Sequence, residues 1–261
     1  MSQEFSTEGL QALATFPFED TDWKRKFTIG SLITLAGFII PVVPLLVIYG
    51  YAIKIMREII LENKAPFLPD WDDWGQYLKD GFKLLGVGIL YLLPMYLAMI
   101  VGGLLIFGSI SLIPVDSEAA SVVIPIVGGI GGVTLFAIIM IFSLGLGIYL
   151  PVVIAHVIAK DSFRAAFDYK ACWALFRANL SGFLLTYVII LAFSLLLNLG
   201  LQIVMMTIIG CCFLPFLMPA VILYLTIIQG VLYAQAYSHA VIALDNSSTE
   251  IPPVEEMTEA K

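Results

Sequence analysis

The sequence contains little charge: Asp, Glu, Lys and Arg make up 13% of its 261 residues, whereas 60% are hydrophobic and the mean hydropathy is +0.98. Soluble domains usually contain about 25% charged residues, so this composition excludes an ordinary soluble globule. Four long stretches lack charge altogether: 27–53, 84–115, 119–159 and 178–244. Because a helix needs about 20 apolar residues to cross a bilayer, the sequence predicts an all-α, polytopic integral membrane protein.

Other absences narrow the expected function. The net charge of −7 and the pI of about 4.7 leave no basic surface for nucleic acid, which we exclude as a partner. The three cysteines show no CxxC or Cys/His spacing, so we expect no metal site. The sequence also lacks HExxH, GxSxG and Walker motifs, and we therefore expect no catalytic residues and no cofactor.

The distribution of lysine and arginine predicts the orientation in the membrane. Bases occur in 54–83 and in 160–177, whereas 113–121 and the turn near 210–219 contain none. Since basic residues favour the cytoplasmic side, we expect the first two segments in the cytoplasm and the other two outside. Both termini are then cytoplasmic.

The first uncharged stretch, 27–53, is flanked by bases on both sides, and Pro41 and Pro44 lie near its middle. Proline breaks or kinks a helix, and each arm of about 14 residues would rise only about 20 Å. We therefore expect a membrane hairpin with both ends cytoplasmic, and the alternative is one kinked span with an external N-terminus. With four full transmembrane helices, the hairpin gives six membrane helices in all.

No linker divides the chain. We expect a cytoplasmic N-terminal segment at 1–26, a single membrane domain at 27–244 and an acidic, flexible tail at 245–261. Hydrophobic periodicity predicts helices near 27–40, 44–60, 82–113, 121–159, 180–210 and 214–244.

Two segments beside the membrane, 69–83 and 163–177, have apolar stripes at helical spacing, and in the first the opposite face includes Asp80. This pattern predicts interfacial amphipathic helices. Four tryptophans are expected to lie at headgroup depth as anchors: Trp23, Trp71, Trp74 and Trp173. Three bases are candidates for contacts with anionic headgroups, with ordinary positive-inside flanking as the alternative: Arg164, Lys170 and Arg177.

Uncharged polar residues stand out inside the predicted membrane helices. Five of them are candidates for lining a polar cavity: Asn198, Gln202, Gln229, Gln235 and His239. Hydrogen bonding between helices is the ordinary alternative for such side chains. Gly128 and Gly132 form a GxxxG spacing, which indicates close helix packing.

Three motifs carry a resemblance to a known family: Gly50-Tyr51-Ala52-Ile53-Lys54-Ile55-Met56-Arg57, Leu68-Pro69-Asp70-Trp71-Asp72-Asp73-Trp74-Gly75 and Asp80-Gly81-Phe82. A later segment, Phe163-Arg164-Ala165-Ala166-Phe167, fits the same pattern. Together they resemble the prokaryotic membrane family catalogued as domain of unknown function 4013, over roughly residues 20–180. The resemblance implies a multi-helix architecture in a prokaryotic cytoplasmic membrane, and it implies no activity.

The absence of buried charge and the presence of small-residue packing motifs favour a non-catalytic accessory, assembly or scaffold component of the membrane. The expected partners are membrane lipids and, through small-residue helix faces, other membrane proteins or a second copy of the chain. The alternative is a carrier or channel for a small or lipidic solute. A membrane enzyme is the third hypothesis, and it would need a cytoplasmic site formed by 70–83 and 164–177.

Overall fold

The computed structural model describes residues 7–113 and 120–249, and over these residues the chain is helical without strands. Its eight α-helices are α1 (Thr7–Glu19), α2 (Trp23–Ala36), α3 (Val43–Glu62), α4 (Trp74–Ser111), α5 (Ala120–Ala159), α6 (Tyr169–Ala178), α7 (Leu180–Met205) and α8 (Ile208–Thr249). A short 3-10 helix, Phe163–Phe167, precedes α6.

Four helices in the described part are long and apolar enough to cross a membrane, namely α4, α5, α7 and residues Cys212–Asn246 of α8. The predicted count of six membrane helices, with an N-terminal hairpin, is not supported. The 14 residues of α2 rise only about 21 Å, which is less than the hydrocarbon thickness. The 20 residues of α3 include Lys54, Arg57 and Glu58, and these charges remove it from the membrane-spanning class.

Several helix boundaries differ from those predicted. The segment 69–83 is not one helix: α4 begins at Trp74, where the Asp73 carboxylate accepts a hydrogen bond from the Gln76 backbone N–H. The N-terminal segment contains an unpredicted helix, α1, and α8 continues beyond residue 244 to Thr249. Most of the predicted external loop at 113–121 and of the acidic tail lies outside the described residues.

The chain forms two compact units, and the larger comprises the residues before Gly86 and after Leu150. Within this unit α8 contacts α2, α3, α6 and α7. Its buried face includes Leu223, Ile227 and Val231. Gly230 lies close to Ala52 and Met56, since a Cβ at this glycine would meet both side chains at about 3.5 Å. Helix α8 is therefore the central packing element of the unit.

The second unit, Gly86–Leu150, contains parts of α4 and α5. Glycines of α5 face isoleucines of α4, and added Cβ atoms would meet Ile106 at Gly131 and Ile110 at Gly128. Nothing lies within 4 Å of a Cβ at Gly132, so the close contact does not follow the predicted GxxxG face. The packing uses Gly128 with Gly131, which are three residues apart on α5, against Ile110 and Ile106, which are four residues apart on α4.

Large apolar side chains remain exposed along the long helices. Phe107 is 73% exposed, Val133 70% and Leu196 69%. Monomeric soluble proteins rarely expose large contiguous apolar patches, whereas a bilayer solvates such surfaces. The predicted all-helical membrane architecture is confirmed at this level.

Candidate functional site

The most elaborate arrangement in the structure is a cluster of paired charges and stacked aromatic rings around the connection between α3 and α4. We call it the polar layer, and its members are Asp20, Lys26, Tyr51, Lys54, Arg57, Asp70, Trp71, Asp72, Gln76, Tyr77, Asp80, Lys83 and Asp161. All of them belong to the larger unit. The first two resembling motifs and Asp80 of the third supply most of these residues.

The connection itself, residues 63–73, has no helix or strand to satisfy its backbone. Three of its carbonyl oxygens instead accept side-chain hydrogen bonds: Leu68 from Lys26 (2.7 Å), Pro69 from Tyr51 (2.8 Å) and Asp70 from Tyr77 (2.6 Å). The indole N–H of Trp71 donates in return to the Lys26 carbonyl oxygen at 2.9 Å. Because buried backbone groups need partners, these bonds fix the connection against α2, α3 and α4.

Three aromatic rings lie together in the polar layer. The rings of Tyr51 and Trp71 stack with centroids 4.0 Å apart and planes 11° from parallel. Tyr77 meets both rings at 5.8 Å in edge-on geometry. Such aromatic pairs contribute about 0.5–1.5 kcal/mol beyond their buried area. Tyr51 and Tyr77 are fully buried, so the stack forms the apolar side of the layer.

Lys26 is a buried cation, although its position before the uncharged stretch 27–53 predicted an ordinary base flanking the membrane. Its side chain is only 10% exposed, and its ammonium lies 2.8 Å from Asp20 Oδ2 and 3.6 Å from Asp70 Oδ1. A buried charge needs such a partner because desolvation is costly. The hydrogen bond from Lys26 lowers the pKa of Asp20, so this ion pair is charged at neutral pH.

A second cation, Lys54 of α3, also binds the connection. Its ammonium donates to Asp72 Oδ1 at 3.0 Å and to the Tyr77 hydroxyl at 3.4 Å. Burial favours the neutral amine, but these hydrogen bonds outweigh it and raise the pKa of Lys54. The hydrogen bond from Lys54 in turn lowers the pKa of Asp72.

Asp80 is the most buried charged residue in the layer, with 1% exposure. The amphipathic pattern placed it on the exposed polar face of 69–83, and this expectation is wrong. Its Oδ2 accepts hydrogen bonds of 2.9 Å from both Arg57 and Gln76. Its Oδ1 lies 3.7 Å from Lys83 Nζ without a hydrogen bond in the described structure. The carboxylate therefore joins α3 to α4.

Asp161, just after α5, completes the layer. It accepts a hydrogen bond of 2.6 Å from Lys83 and lies 3.7 Å from Arg57. The hydrogen bond from Lys83 lowers the pKa of Asp161. The start of α4 and the end of α5 are thus tied together by charge.

Two glycines permit α3 and α4 to cross at backbone contact. A Cβ on Gly50 would overlap the backbone of Tyr77, and a Cβ on Gly81 would overlap the backbone of Leu46. Both glycines belong to the resembling motifs, and the close approach explains why small residues stand there. It also brings Tyr77 within reach of the connection at 63–73.

A separate buried pair holds α5 to α8. His156 is 5% exposed, and its Nδ1 lies 3.0 Å from the Tyr237 hydroxyl. At the neighbouring residue of α8, Asn179 donates to the Ala236 carbonyl oxygen at 2.9 Å and accepts from the Gly182 N–H at the start of α7. These contacts have a packing role, because each polar group is bound to a neighbouring helix or to a helix start.

The residues predicted to line a polar cavity lie on two helices. Asn198 and Gln202 are exposed on α7, where the Gln202 amide donates to Asn198 at 3.3 Å. On α8, the Gln229 amide donates to the Tyr233 hydroxyl at 2.5 Å. The remaining two lie half-buried further along α8: Gln235 and His239. The hydrogen bonds of Gln202 with Asn198 and of Gln229 with Tyr233 each lie within a single helix, so the cavity stays a prediction.

The predicted interfacial residues are accessible to different extents. Trp71 is partly buried in the aromatic stack, whereas Trp74 is 47% and Trp173 49% exposed. Trp23 is half-buried and meets Phe18 edge-on at 5.1 Å. The three bases predicted near headgroups are all exposed: Arg164, Lys170 and Arg177. Their contacts with lipid stay a prediction.

Within residues 7–113 and 120–249, no three His, Cys, Asp or Glu side chains lie close enough together to hold a metal ion. Cys172 is buried, and this burial raises the pKa of its thiol to about 11. The thiol is therefore neutral at physiological pH and a poor nucleophile.

Sequence reasoning missed the structural roles of Lys26, Tyr51 and Asp80. A signal was present for two of them, because Gly50-Tyr51 and Asp80-Gly81 each place a polar side chain beside a glycine. In the structure both glycines lie at backbone contact with the other helix. Lys26 gave no such signal, since it stands among other bases.

A family model described as "Protein of unknown function (DUF4013)" matches residues 33–210. This range includes the three resembling motifs and most of the polar layer. No curated protein and no solved structure significantly matches the chain.

Proposed function

Because the chain belongs to the DUF4013 family of proteins of unknown function, we propose a role from its geometry: a non-catalytic accessory, assembly or scaffold component of a prokaryotic cytoplasmic membrane. The polar layer carries this proposal. Its buried charges form ion pairs between elements, with Lys26 bound to Asp20 and Asp80 bound to Arg57. An arrangement of this kind builds a rigid platform.

Catalytic and transport sites usually leave ionisable groups facing a cavity with perturbed pKa values or open coordination. In the polar layer the carboxylates of Asp72, Asp80 and Asp161 each bind a lysine or arginine. The pairing extends to the cleft of about 220 Å³ that Lys26, Asp70 and Asp72 line, because the carboxylates there also lie beside lysine. It supports the structural role over the enzyme hypothesis.

The platform is proposed to lie on the cytoplasmic side with both termini. The ion pair between Lys83 and Asp161 brings together the two segments whose bases predict a cytoplasmic location. Lys83 lies near the start of α4 and Asp161 just beyond the end of α5, so this contact supports a location of both helix ends on the same side of the membrane.

Open glycine positions on the long helices support partner binding through helix packing. A Cβ added at Gly103, Gly129 or Gly132 would meet nothing within 4 Å in the described structure. Small residues allow close approach of another helix in a bilayer. The proposed partners are other membrane proteins or a second copy of the chain, besides lipid.

The test is the isolation of native complexes. The chain would be crosslinked in intact membranes, extracted in mild detergent and identified with its partners by mass spectrometry. We expect a specific partner or homo-oligomer, and we expect Gly132→Leu to reduce its recovery. Val133→Leu, an exposed apolar position on the same helix that is not a glycine, is the matched control. Recovery of only an uncrosslinked monomer would contradict the proposal.

A carrier or channel is the second candidate. The bond between Gln229 and Tyr233 supports it, because both side chains are half-buried and polar within a membrane-spanning helix. Flux of small solutes into proteoliposomes, reduced by Gln229→Leu, would favour this role. Flux equal to that of protein-free liposomes would count against it.

A further inference from the structure

An open groove of about 500 Å³ runs between α2 and the first half of α8, and no member of the polar layer lines it. Seven residues of α2 line one side, and they are Trp23, Lys24, Phe27, Thr28, Ser31, Leu32 and Leu35. Three residues of α8 line the other: Phe216, Pro219 and Ala220. The groove lies entirely within the larger unit.

The lining residues of α2 recur at helical spacing, so they form one continuous face. From Trp23 to Leu35 this face extends about 18 Å at 1.5 Å per residue. Its polarity changes in order along the helix. Trp23 and the ammonium of Lys24 stand at one end, Phe27 and the hydroxyls of Thr28 and Ser31 follow, and leucines occupy the other end.

Lys24 differs from the two bases that follow it. Arg25 forms ion pairs with Asp22 and Asp70, and Lys26 is paired with Asp20. Lys24 is exposed and makes no ion pair with any of residues 7–113 and 120–249, and its ammonium lies 5.8 Å from the centre of the Trp23 ring. It is the cation of this cluster that remains available to an external anion.

We propose that this groove binds an anionic glycerophospholipid. The phosphate lies at Lys24, the glycerol and ester groups lie beside Ser31, and one acyl chain follows Leu35 and Phe216. The order of charge, hydroxyl and apolar groups matches the order of polarity along such a lipid. One wall of the groove, formed by Phe216, Pro219 and Ala220, belongs to a helix long and apolar enough to span the membrane, so lipids are available ligands there. This inference is independent of the proposed scaffold role.

A peptide helix would satisfy the apolar half of the groove but not its charged end. A free phosphate would satisfy Lys24 but leave the apolar length empty. Only a molecule with an anionic head and an apolar chain uses both features. Basic side chains near a membrane attract anionic lipid by about 1 kcal/mol each, which sets the expected size of the effect.

The experiment is native mass spectrometry of the full-length protein in non-ionic detergent, titrated with phosphatidylglycerol or with zwitterionic phosphatidylcholine of the same chains. We expect retention of phosphatidylglycerol in preference to phosphatidylcholine. Lys24→Gln should reduce that preference about fivefold. Ala220→Phe, which fills the groove, should reduce retention of both lipids.

Lys79→Gln is the matched control, because Lys79 is also an exposed lysine and does not line the groove. It should retain both lipids as the unmodified protein does. Equal losses in Lys24→Gln and Lys79→Gln would overturn the proposal, since binding would then follow overall charge. Unchanged retention in Lys24→Gln, with both lipids still bound by Ala220→Phe, would overturn it as well. Binding of inorganic phosphate that displaces no lipid would also exclude the groove as a lipid site.

Discussion

At the scale of single residues, the polar layer depends on buried charge. Asp80 is 1% exposed and Lys26 is 9% exposed, yet both keep close partners of opposite charge. Removing one partner of a buried pair is expensive because the other charge is left without compensation. Each of these side chains therefore matters more for stability than any exposed pair of the same type.

We expect Asp80→Asn to lower the free energy of unfolding by about 3 kcal/mol, because Arg57 then loses its charged partner. Unfolding would be measured by titration with a denaturing detergent, with tryptophan fluorescence as the signal. The control is Asp22→Asn, since Asp22 and Arg25 are both exposed and their pair is worth less than about 1 kcal/mol. Equal effects of the two substitutions would contradict a structural role for Asp80.

The lysine-bound carboxylates predict a dependence on acidic pH. The pKa values of Asp20, Asp72 and Asp161 are lowered by hydrogen bonds from lysine, so below about pH 4 the unfolded chain binds more protons than the folded chain. This stabilisation is complete above the ordinary carboxyl pKa and is lost as pH falls through the lowered values.

Thermal unfolding in non-ionic detergent provides the measurement. The midpoint temperature should change little above about pH 5 and fall steadily below about pH 4. Asp20→Asn should make that decline shallower, because one of the titrating groups is removed. An unfolding temperature independent of pH between 3 and 5 would show that these pairs do not contribute.

At the scale of secondary-structure elements, the crossing of α3 and α4 organises the layer. Hydrophobic periodicity predicted both helices, but only the crossing brings Tyr51 and Tyr77 to the same connection. The crossing in turn depends on the missing side chains of Gly50 and Gly81. Backbone contact at these two positions sets the distance at which the ion pairs can form.

Gly81→Ala should destabilise the protein by about 2 kcal/mol, because its Cβ would force α4 away from Leu46. Gly88→Ala is the matched control: it lies on the same helix one heptad later, with nothing within 4 Å of its Cβ. It should cause no loss, since alanine favours helix over glycine. Denaturing-detergent titration compares them, and equal losses would mean that the crossing has space for a methyl group.

At the scale of the whole molecule, charge placement gives a testable orientation. In a background without Cys172, Cys211 and Cys212, a cysteine at Ser2 should not react with a membrane-impermeant thiol reagent in intact cells. A cysteine at Thr207, between α7 and α8, should react. The expectation follows from the bases of 160–177 and their absence near 210–219. The reverse labelling pattern would invert the topology and place the polar layer outside.

The sequence by itself determined the class of protein and the four long helices, because uncharged runs of sufficient length have few alternatives to membrane helices. It did not determine whether α2 and α3 cross the membrane, because the short length of α2 and the charges of α3 oppose their hydrophobicity. The burial of Lys26, which stands among other bases, was decided by tertiary structure alone. A helical pattern places a side chain on a face, but only contact with other helices determines whether that face meets water, lipid or an opposite charge.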